Sequence, residues 1–453
     1  MIMYKEYIEK YRKDFLKDLN ELVSVPSVSD ETQACEGMPF GKDVAKVMDV
    51  FANIAKRLGF DIEYDDGYAI SANYLSGESY IGILGHLDVV SAGDLSKWSY
   101  YPYKVVLNDG IIYGRGVNDD KGPLLANLYA IRILRDMGYA FKLPIKVIAG
   151  GAEETTWNCM KHYFKHHKQP LMGYSPDGNF PIVNGEKGIL TYETLYKKES
   201  GTIFLKSIDQ TSQEYTIPDY VKITLVCSQC NQLPKSLQEQ FHNGIAKIEF
   251  KGVSALTRNP QRADNALFKF AAFIIKYAQC FDSGLVALAN DMLTYLTQPY
   301  GIDCGIYYDH QEMGKTSIAV FDFKILTDEY SFKLDIRYPQ GMSEQKIEVA
   351  LLNKLPNLTK IREKKLLYVN SNSELIQKLS KAYTNIMCES PKLLVKGGAS
   401  YARVLDNGIA FGATFDGYDT KPHQPNENMK LDDLFKAMEI YCESIKLLAC
   451  EIK

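Results

Sequence analysis

The stretch Ile81-Gly82-Ile83-Leu84-Gly85-His86-Leu87-Asp88-Val89-Val90 constrains the fold more than any other part of the chain. A short apolar run carrying small residues reads as a strand buried on both faces, as in the interior of a parallel sheet. It ends in a histidine and a carboxylate two residues apart. On an extended backbone, side chains at i and i+2 leave the same face, so His86 and Asp88 can point into one pocket. A metal-bound imidazole usually hands its other nitrogen to a nearby acceptor, a role open to Asp88. Taken alone, such a pair is more often a satisfied core or surface contact, and the rest of the chain has to decide.

At 453 residues the chain is too long for one compact core and suggests two or three domains. Residues 4–23 and 41–58 read as amphipathic helices, 60–64 and 69–74 as short strands. Asp109-Gly110 sits at the tip of a hairpin over 103–114, because this dipeptide suits a primed turn. A long helix over 121–137 and a buried strand over 144–151 follow, then Glu153-Glu154 and a helix containing 160–166. This alternation predicts an α/β fold with a mostly parallel sheet. Active groups in such sheets collect beyond the carboxyl ends of the strands, which is where His86 and Glu153-Glu154 fall. From about 190 to 368 the pattern becomes strand-rich and alternating, with helices at 265–279 and 343–354, and predicts an α+β domain with an antiparallel sheet. From Ser373 the strand–helix alternation of the first half returns, ending in an amphipathic helix over 431–448. One domain inserted into another explains this order: 1–188 and 373–453 form a catalytic domain, and 189–372 an inserted lid domain.

Acidic residues recur beside glycine along the first half: Asp88, Asp119-Asp120, Glu153-Glu154 and Asp177. Glycine lets the backbone turn sharply and approach a bound ion. Any one acidic pair can be a solvated loop or a helix N-terminus, but four at segment ends with a histidine look like a mixed N/O metal site. Carboxylate and imidazole without thiolate suit zinc, manganese or cobalt in a catalytic role. His423, in the proline-bounded Pro422-His423-Gln424-Pro425-Asn426-Glu427, can complete the set or be a surface loop histidine. Fifty-two basic against 56 acidic residues, a net charge of -4, give no electrostatic argument for nucleic acid or an anionic membrane. No apolar run approaches the roughly 20 residues of a spanning helix. The charged start lacks the apolar core of a signal peptide, and nine scattered cysteines read as reduced thiols, so a cytoplasmic location is expected. Cys227-Ser228-Gln229-Cys230, a lone pair without a second, reads as structural, and His162, His166 and His167 read as a solvated helix face.

These motifs resemble those of the co-catalytic zinc metallopeptidase family that includes aminoacylases, succinyl-diaminopimelate desuccinylase, carnosinases and peptidase V-type dipeptidases. The resemblance is carried by Gly85-His86-Leu87-Asp88, Tyr113-Gly114-Arg115-Gly116 with Asp119-Asp120-Lys121-Gly122, Glu153-Glu154 with Trp157, Pro176-Asp177, Gly397-Gly398-Ala399-Ser400, and His423 through Glu427. It implies a zinc-peptidase/phosphorylase-like catalytic domain holding two divalent metal ions, zinc first and manganese or cobalt as alternatives, bridged by Asp119 and a water. His86 and Asp177 would complete one metal, Glu154 and His423 the other. Asp88 would orient His86, Glu153 would be the general base, and the Asp119-Asp120 bond would be cis. Asn231, Arg337 and Gly398 would contact substrate, with Arg337 forking onto a substrate carboxylate. The implied reaction is hydrolysis of dipeptides or short peptides by a monomer, or a dimer, with N-acyl amino acid deacylation as the nearest alternative. One departure stands out. Gly252-Val253-Ser254-Ala255-Leu256 matches a lid motif that ends in histidine in the family, where that residue helps hold the oxyanion. Leu256 cannot donate a hydrogen bond, which admits a catalytically weakened, peptide-binding paralogue unless Thr257 or Arg258 substitutes.

Overall fold

The computed structural model describes residues 2–211, 213–355 and 357–451. The chain divides into two compact units, one made of Met1–Gly185, Leu367–Leu394 and Ser400–Lys453, the other of Glu186–Leu366 and Val395–Ala399.

The first unit opens with α1 (Ile2–Val23) and α2 (Lys42–Arg57). On α2 the residues Val44, Val47, Met48, Phe51, Ile54 and Ala55 are buried at helical spacing, and the helix stops at Gly59, whose φ of 89° suits glycine. Then come β1 (Asp61–Asp65), β2 (Ala69–Tyr74), β3 (Ile81–His86), the hairpin β4 (Val106–Asn108) and β5 (Ile111–Tyr113), and α3 (Lys121–Asp136). They are followed by β6 (Ile145–Gly150), α4 (Asn158–His166), β7 (Met172–Ser175) and β8 (Ile182–Glu186). The hairpin turns through Asp109 and Gly110, both at positive φ (49° and 76°), as a primed turn requires.

The main sheet has the order β1-β2-β6-β3-β7, then strand Gly408–Ala410, then β8. The centre is parallel: β6 with β3, β3 with β7, and β7 with Gly408–Ala410. Antiparallel strands flank it on both sides, with β2 against β6, β1 against β2, and β8 against Gly408–Ala410. The parallel sheet expected from the alternation is therefore the middle of a mixed sheet. All six residues of β3 are buried, which is why that segment reads as an unbroken apolar run. Helix Leu431–Ala449 buries Leu434, Met438, Tyr441 and Ile445 in the same core that takes Leu124, Leu128 and Ile131 from α3.

The second unit has its own core, with Leu190, Ile223, Phe270, Leu288 and Leu334 among its members. Its four-stranded antiparallel sheet runs in the order Ser317–Ile325, Glu329–Tyr338, Gly188–Lys197, Thr359–Lys364. A second sheet joins Ile203–Gln210, Tyr220–Cys227 and Ile245–Lys251. Helices Ala266–Lys276 and Ser283–Tyr295 fill the space against them. The second of these helices is not anticipated by the sequence pattern. Asp282 caps it, accepting from the Leu285 amide at 2.9 Å.

Candidate metal centre

Parallel alignment brings the chemistry to one edge of the sheet. His86 is the last residue of β3 and stands in register with Gly150 at the end of β6; Glu153 and Glu154 follow β6, and Asp177 follows β7. Asp119 and Asp120 immediately precede α3, and the peptide bond between them is cis. His423 arrives by another route. Strand Asn428–Lys430 pairs with β5, Asn428 opposite Tyr113, and this carries the loop before it to the segment after β5.

The side chains converge closely. His86 is fully buried, and its Nδ1 lies 3.0 Å from the Asp88 carbonyl oxygen. A carbonyl only accepts, so Nδ1 donates there, and Nε2 is the nitrogen left to face Asp119 or a bound ion. That Nε2 lies 3.0 Å from Asp119 Oδ1, while His423 Nε2 lies 3.0 Å from Asp119 Oδ2 and 3.1 Å from Glu154 Oε1. Potential ligand atoms fall within 4.8 Å of one another in three sets: His86, Asp119 and Asp177; Asp119, Glu154 and His423; and His86, Glu153 and Glu154. Asp119 belongs to the first two.

Asp88 does more than the sequence suggests. Its carboxylate comes no nearer than 3.6 Å to the His86 ring, but its two oxygens accept the amides of Glu153 (3.0 Å) and Glu154 (3.1 Å). It therefore fixes the turn that carries both glutamates, and its main chain sets the His86 tautomer. Glu427 is a second organiser, visible in the sequence only as the last residue of the His423 motif. Fully buried, it takes Arg115 Nη1 at 2.7 Å and the amides of Gly116, Asn118 and Asp119 at 3.0, 3.1 and 3.2 Å. A buried glutamate is hard to see in sequence because its partners lie more than 300 positions away. Gly85 is needed for a different reason: a Cβ there would stand 2.2 Å from Asp120 Oδ2, the oxygen that accepts the His86 amide at 3.3 Å. Tyr401, fully buried, packs edge-on to His86 with ring centroids 6.1 Å apart and lies 5.7 Å from Trp157.

The charge balance indicates what this cluster can hold. Asp88, Asp119, Asp120, Glu153, Glu154 and Asp177 gather around only two imidazoles. Burial, followed by Asp177, pushes the Glu153 carboxyl well above the ordinary glutamate range, with Glu154 and Asp88 adding to the effect against His86. Burial likewise raises Asp120, and its Oδ1 has no hydrogen-bond partner. The nearby cationic side chains are committed elsewhere: Lys121 Nζ donates to the carbonyls of Leu22 and Val25, and Arg115 to Glu427. A buried surplus of carboxylates is costly without cations. Oxygen and imidazole donors without a thiolate suit zinc, manganese or cobalt, so the residues fit divalent metal. All of these side chains lie in the first unit.

The candidate substrate residues lie in the second unit. Arg337 is nearly buried; its Nε donates to Asp335 at 2.8 Å and its Nη1 to the Gly397 carbonyl at 2.7 Å. Asp335 also accepts the Thr257 hydroxyl at 2.8 Å. Arg258 lies beside Gly397 and Gly398, within 3.3 and 3.7 Å of where their Cβ atoms would be. Asn231 is exposed on the short turn Cys230–Gln232, and Leu256 is 42% exposed on a two-residue strand, Ala255–Leu256. The Cys227 and Cys230 thiols are free.

The chain is similar to known proteins over nearly all of its length. Residues 82–447 match the model of peptidase family M20/M25/M40. A Staphylococcus aureus protein named as a candidate dipeptidase is 32% identical over 479 aligned positions, covering 99% of this chain and 100% of that protein. Among solved structures, the di-peptidase Dug1p of Saccharomyces cerevisiae superposes with a TM-score of 0.58 at 15% identity, covering 98% of each chain. The M20 family metallo-carboxypeptidase Sso-CP2 of Sulfolobus solfataricus gives 0.57 at 18% identity, over 96% of this chain and 98% of that one. The protein is a peptide-bond hydrolase and belongs to peptidase family M20/M25/M40.

Proposed function

We propose that this peptidase hydrolyses dipeptides and short peptides at a two-metal centre. The observation that carries the proposal is the position of Asp119, whose two carboxylate oxygens each face a different imidazole at 3.0 Å. A carboxylate so placed would be able to bridge two ions. Asp119 would hold both ions, His86 and Asp177 completing one, Glu154 and His423 the other, with zinc the first choice and manganese or cobalt the alternatives. Bound divalent ions would supply Lewis acidity, activating water and polarising the scissile carbonyl. Glu153 takes a proton from the attacking water as its oxygen bonds to the carbonyl carbon. It returns that proton to the amine nitrogen as the C–N bond breaks. Asp88 aims Glu153 and Glu154 through their amides. The dipeptide preference rests on the name of the staphylococcal relative and on the fold shared with Dug1p. Nine free cysteines agree with a reducing, cytoplasmic setting.

Leu256 favours a second reading, in which turnover is weak. It offers no donor, and the Thr257 hydroxyl is already given to Asp335, which leaves Arg258 as the neighbouring donor. Metal-free protein reloaded with zinc, manganese or cobalt and assayed on dipeptides beside N-acetyl and N-succinyl amino acids separates these readings. Rapid dipeptide cleavage is expected. Preference for the acylated amino acids would replace the substrate assignment, and inertness toward all three panels would overturn it.

A further inference from the structure

Three of the chain's seven histidines gather outside the peptidase centre. His162 and His166, one turn apart near the end of α4, face Asp65 at the end of β1, the edge strand of the main sheet. The pattern differs from a solvated helix face. Asp65 is nearly buried; its Oδ2 lies 2.9 Å from His162 Nδ1, and its Oδ1 lies 3.8 Å from His166 Nδ1 and 3.3 Å from His167 Nε2.

We propose that Asp65, His162 and His166 form a third divalent-cation site, for a borderline transition ion such as zinc, that clamps α4 to β1. Geometry and packing support it. One ligand atom from each of the three residues lies within 4.8 Å of the other two. A tetrahedral ion with bonds of about 2.0–2.1 Å sets its ligand atoms about 3.3 Å apart, and the two imidazoles approach the two oxygens of the one Asp65 carboxylate at 2.9 and 3.8 Å, on either side of that value. Histidines at i and i+4 on a helix present two nitrogens to one ion. The His162 ring is also held in place, stacked on Tyr68 at 3.9 Å with planes 4° apart. A further carboxylate lies nearby, Asp66 Oδ2 standing 3.8 Å from His162 Nε2. A helix carboxyl end is favourable for a cation. Were both rings protonated instead, like charges would face each other with centroids 4.6 Å apart. Three protein ligands leave a fourth position open to water or His167. None of these residues belongs to the peptidase cluster, so the site does not depend on the proposed reaction.

The test compares the zinc-loaded, full-length protein with H166A after equilibration against a zinc buffer, counting metal per chain by mass spectrometry. The His166 side chain is 53% exposed, so this substitution leaves the core untouched. The expected result is one ion fewer per chain in H166A at unchanged peptidase rate, and a zinc-dependent rise in melting temperature that shrinks in the variant. In the unsubstituted protein, added zinc should slow carbethoxylation of His162 and His166, read by peptide mapping. Equal metal counts in both proteins together with unprotected histidines would overturn the site and leave His162 and His166 as plain ion-pair partners of Asp65.

Discussion

Glu427 accepts four hydrogen bonds, three of them from the loop that ends at Asp119. A glutamine there would turn an amide NH2 toward donors, loosening Asp119 without touching the reacting atoms. E427Q is expected to weaken metal affinity about 10–100-fold, the usual cost of removing a residue that orients a ligand, as measured by competition with a chromophoric chelator. Gly85 makes a steric version of the same point. G85A must move Asp120 Oδ2 or Leu124 Cδ1, which would lie 2.2 and 2.8 Å from the new Cβ. The expected loss is about 1–3 kcal/mol of stability, visible in denaturant titration. At Leu256 the expectation has the opposite sign: if the native chain lacks an oxyanion donor, L256H should raise kcat by about 100-fold or more, and an unchanged rate would show that another group supplies it. Four of the five proposed ligands are legible in sequence because His86, Asp119, Glu154 and Asp177 lie within three residues of a glycine at a segment end. Asp88 is legible as a partner, but its hold on the Glu153 and Glu154 amides is not, since the first of these bonds crosses 65 positions of sequence.

Among elements, α1 and the two helices nearest the carboxyl end meet at one polar contact. Glu443 on Leu431–Ala449 accepts from Tyr4 of α1 and from Asn385 of Glu374–Met387, both at 2.8 Å, and pairs with Lys446. Burial alone would raise its pKa, but Lys446, Asn385 and Tyr4 hold the carboxyl below the ordinary glutamate value. A carboxyl depressed in the folded state stabilises fully above its unfolded pKa, near about 4.3. That contribution is lost as pH falls from there through the folded value. E443Q should therefore lower stability at neutral pH and flatten the acid limb of a melting-temperature profile below about pH 4. Long periodic elements such as α2 and α3 are readable from their apolar spacing. Helix Ser283–Tyr295 is not, because Gly284 in its first turn looks like a breaker; in the fold a Cβ there would press within 1.7 Å of the Lys197 carbonyl, so glycine permits the close helix–strand packing. The α4 histidines mislead for a related reason: helical spacing shows that they share a face, not that Asp65 stands opposite.

At the scale of the molecule, the proposed ligands His86, Asp119, Glu154, Asp177 and His423 all lie in the unit that contains the mixed sheet, while Asn231, Arg337 and Gly398 lie in the other. The return of strand–helix alternation after Ser373 anticipates a chain that leaves one unit and comes back to it. We propose that the strand-rich unit is an inserted domain. Two separate hydrophobic cores then predict two calorimetric transitions, with added zinc raising the one belonging to the metal-binding unit and leaving the other in place. A two-metal peptidase with Glu153 as general base can be checked by dipeptide hydrolysis in the native chain and in E153Q at matched metal content. The native protein is expected to cleave dipeptides, and E153Q to retain its metal while kcat falls about 100- to 10,000-fold. A native chain that binds metal yet cleaves no dipeptide, or an E153Q variant that keeps its rate, would contradict it.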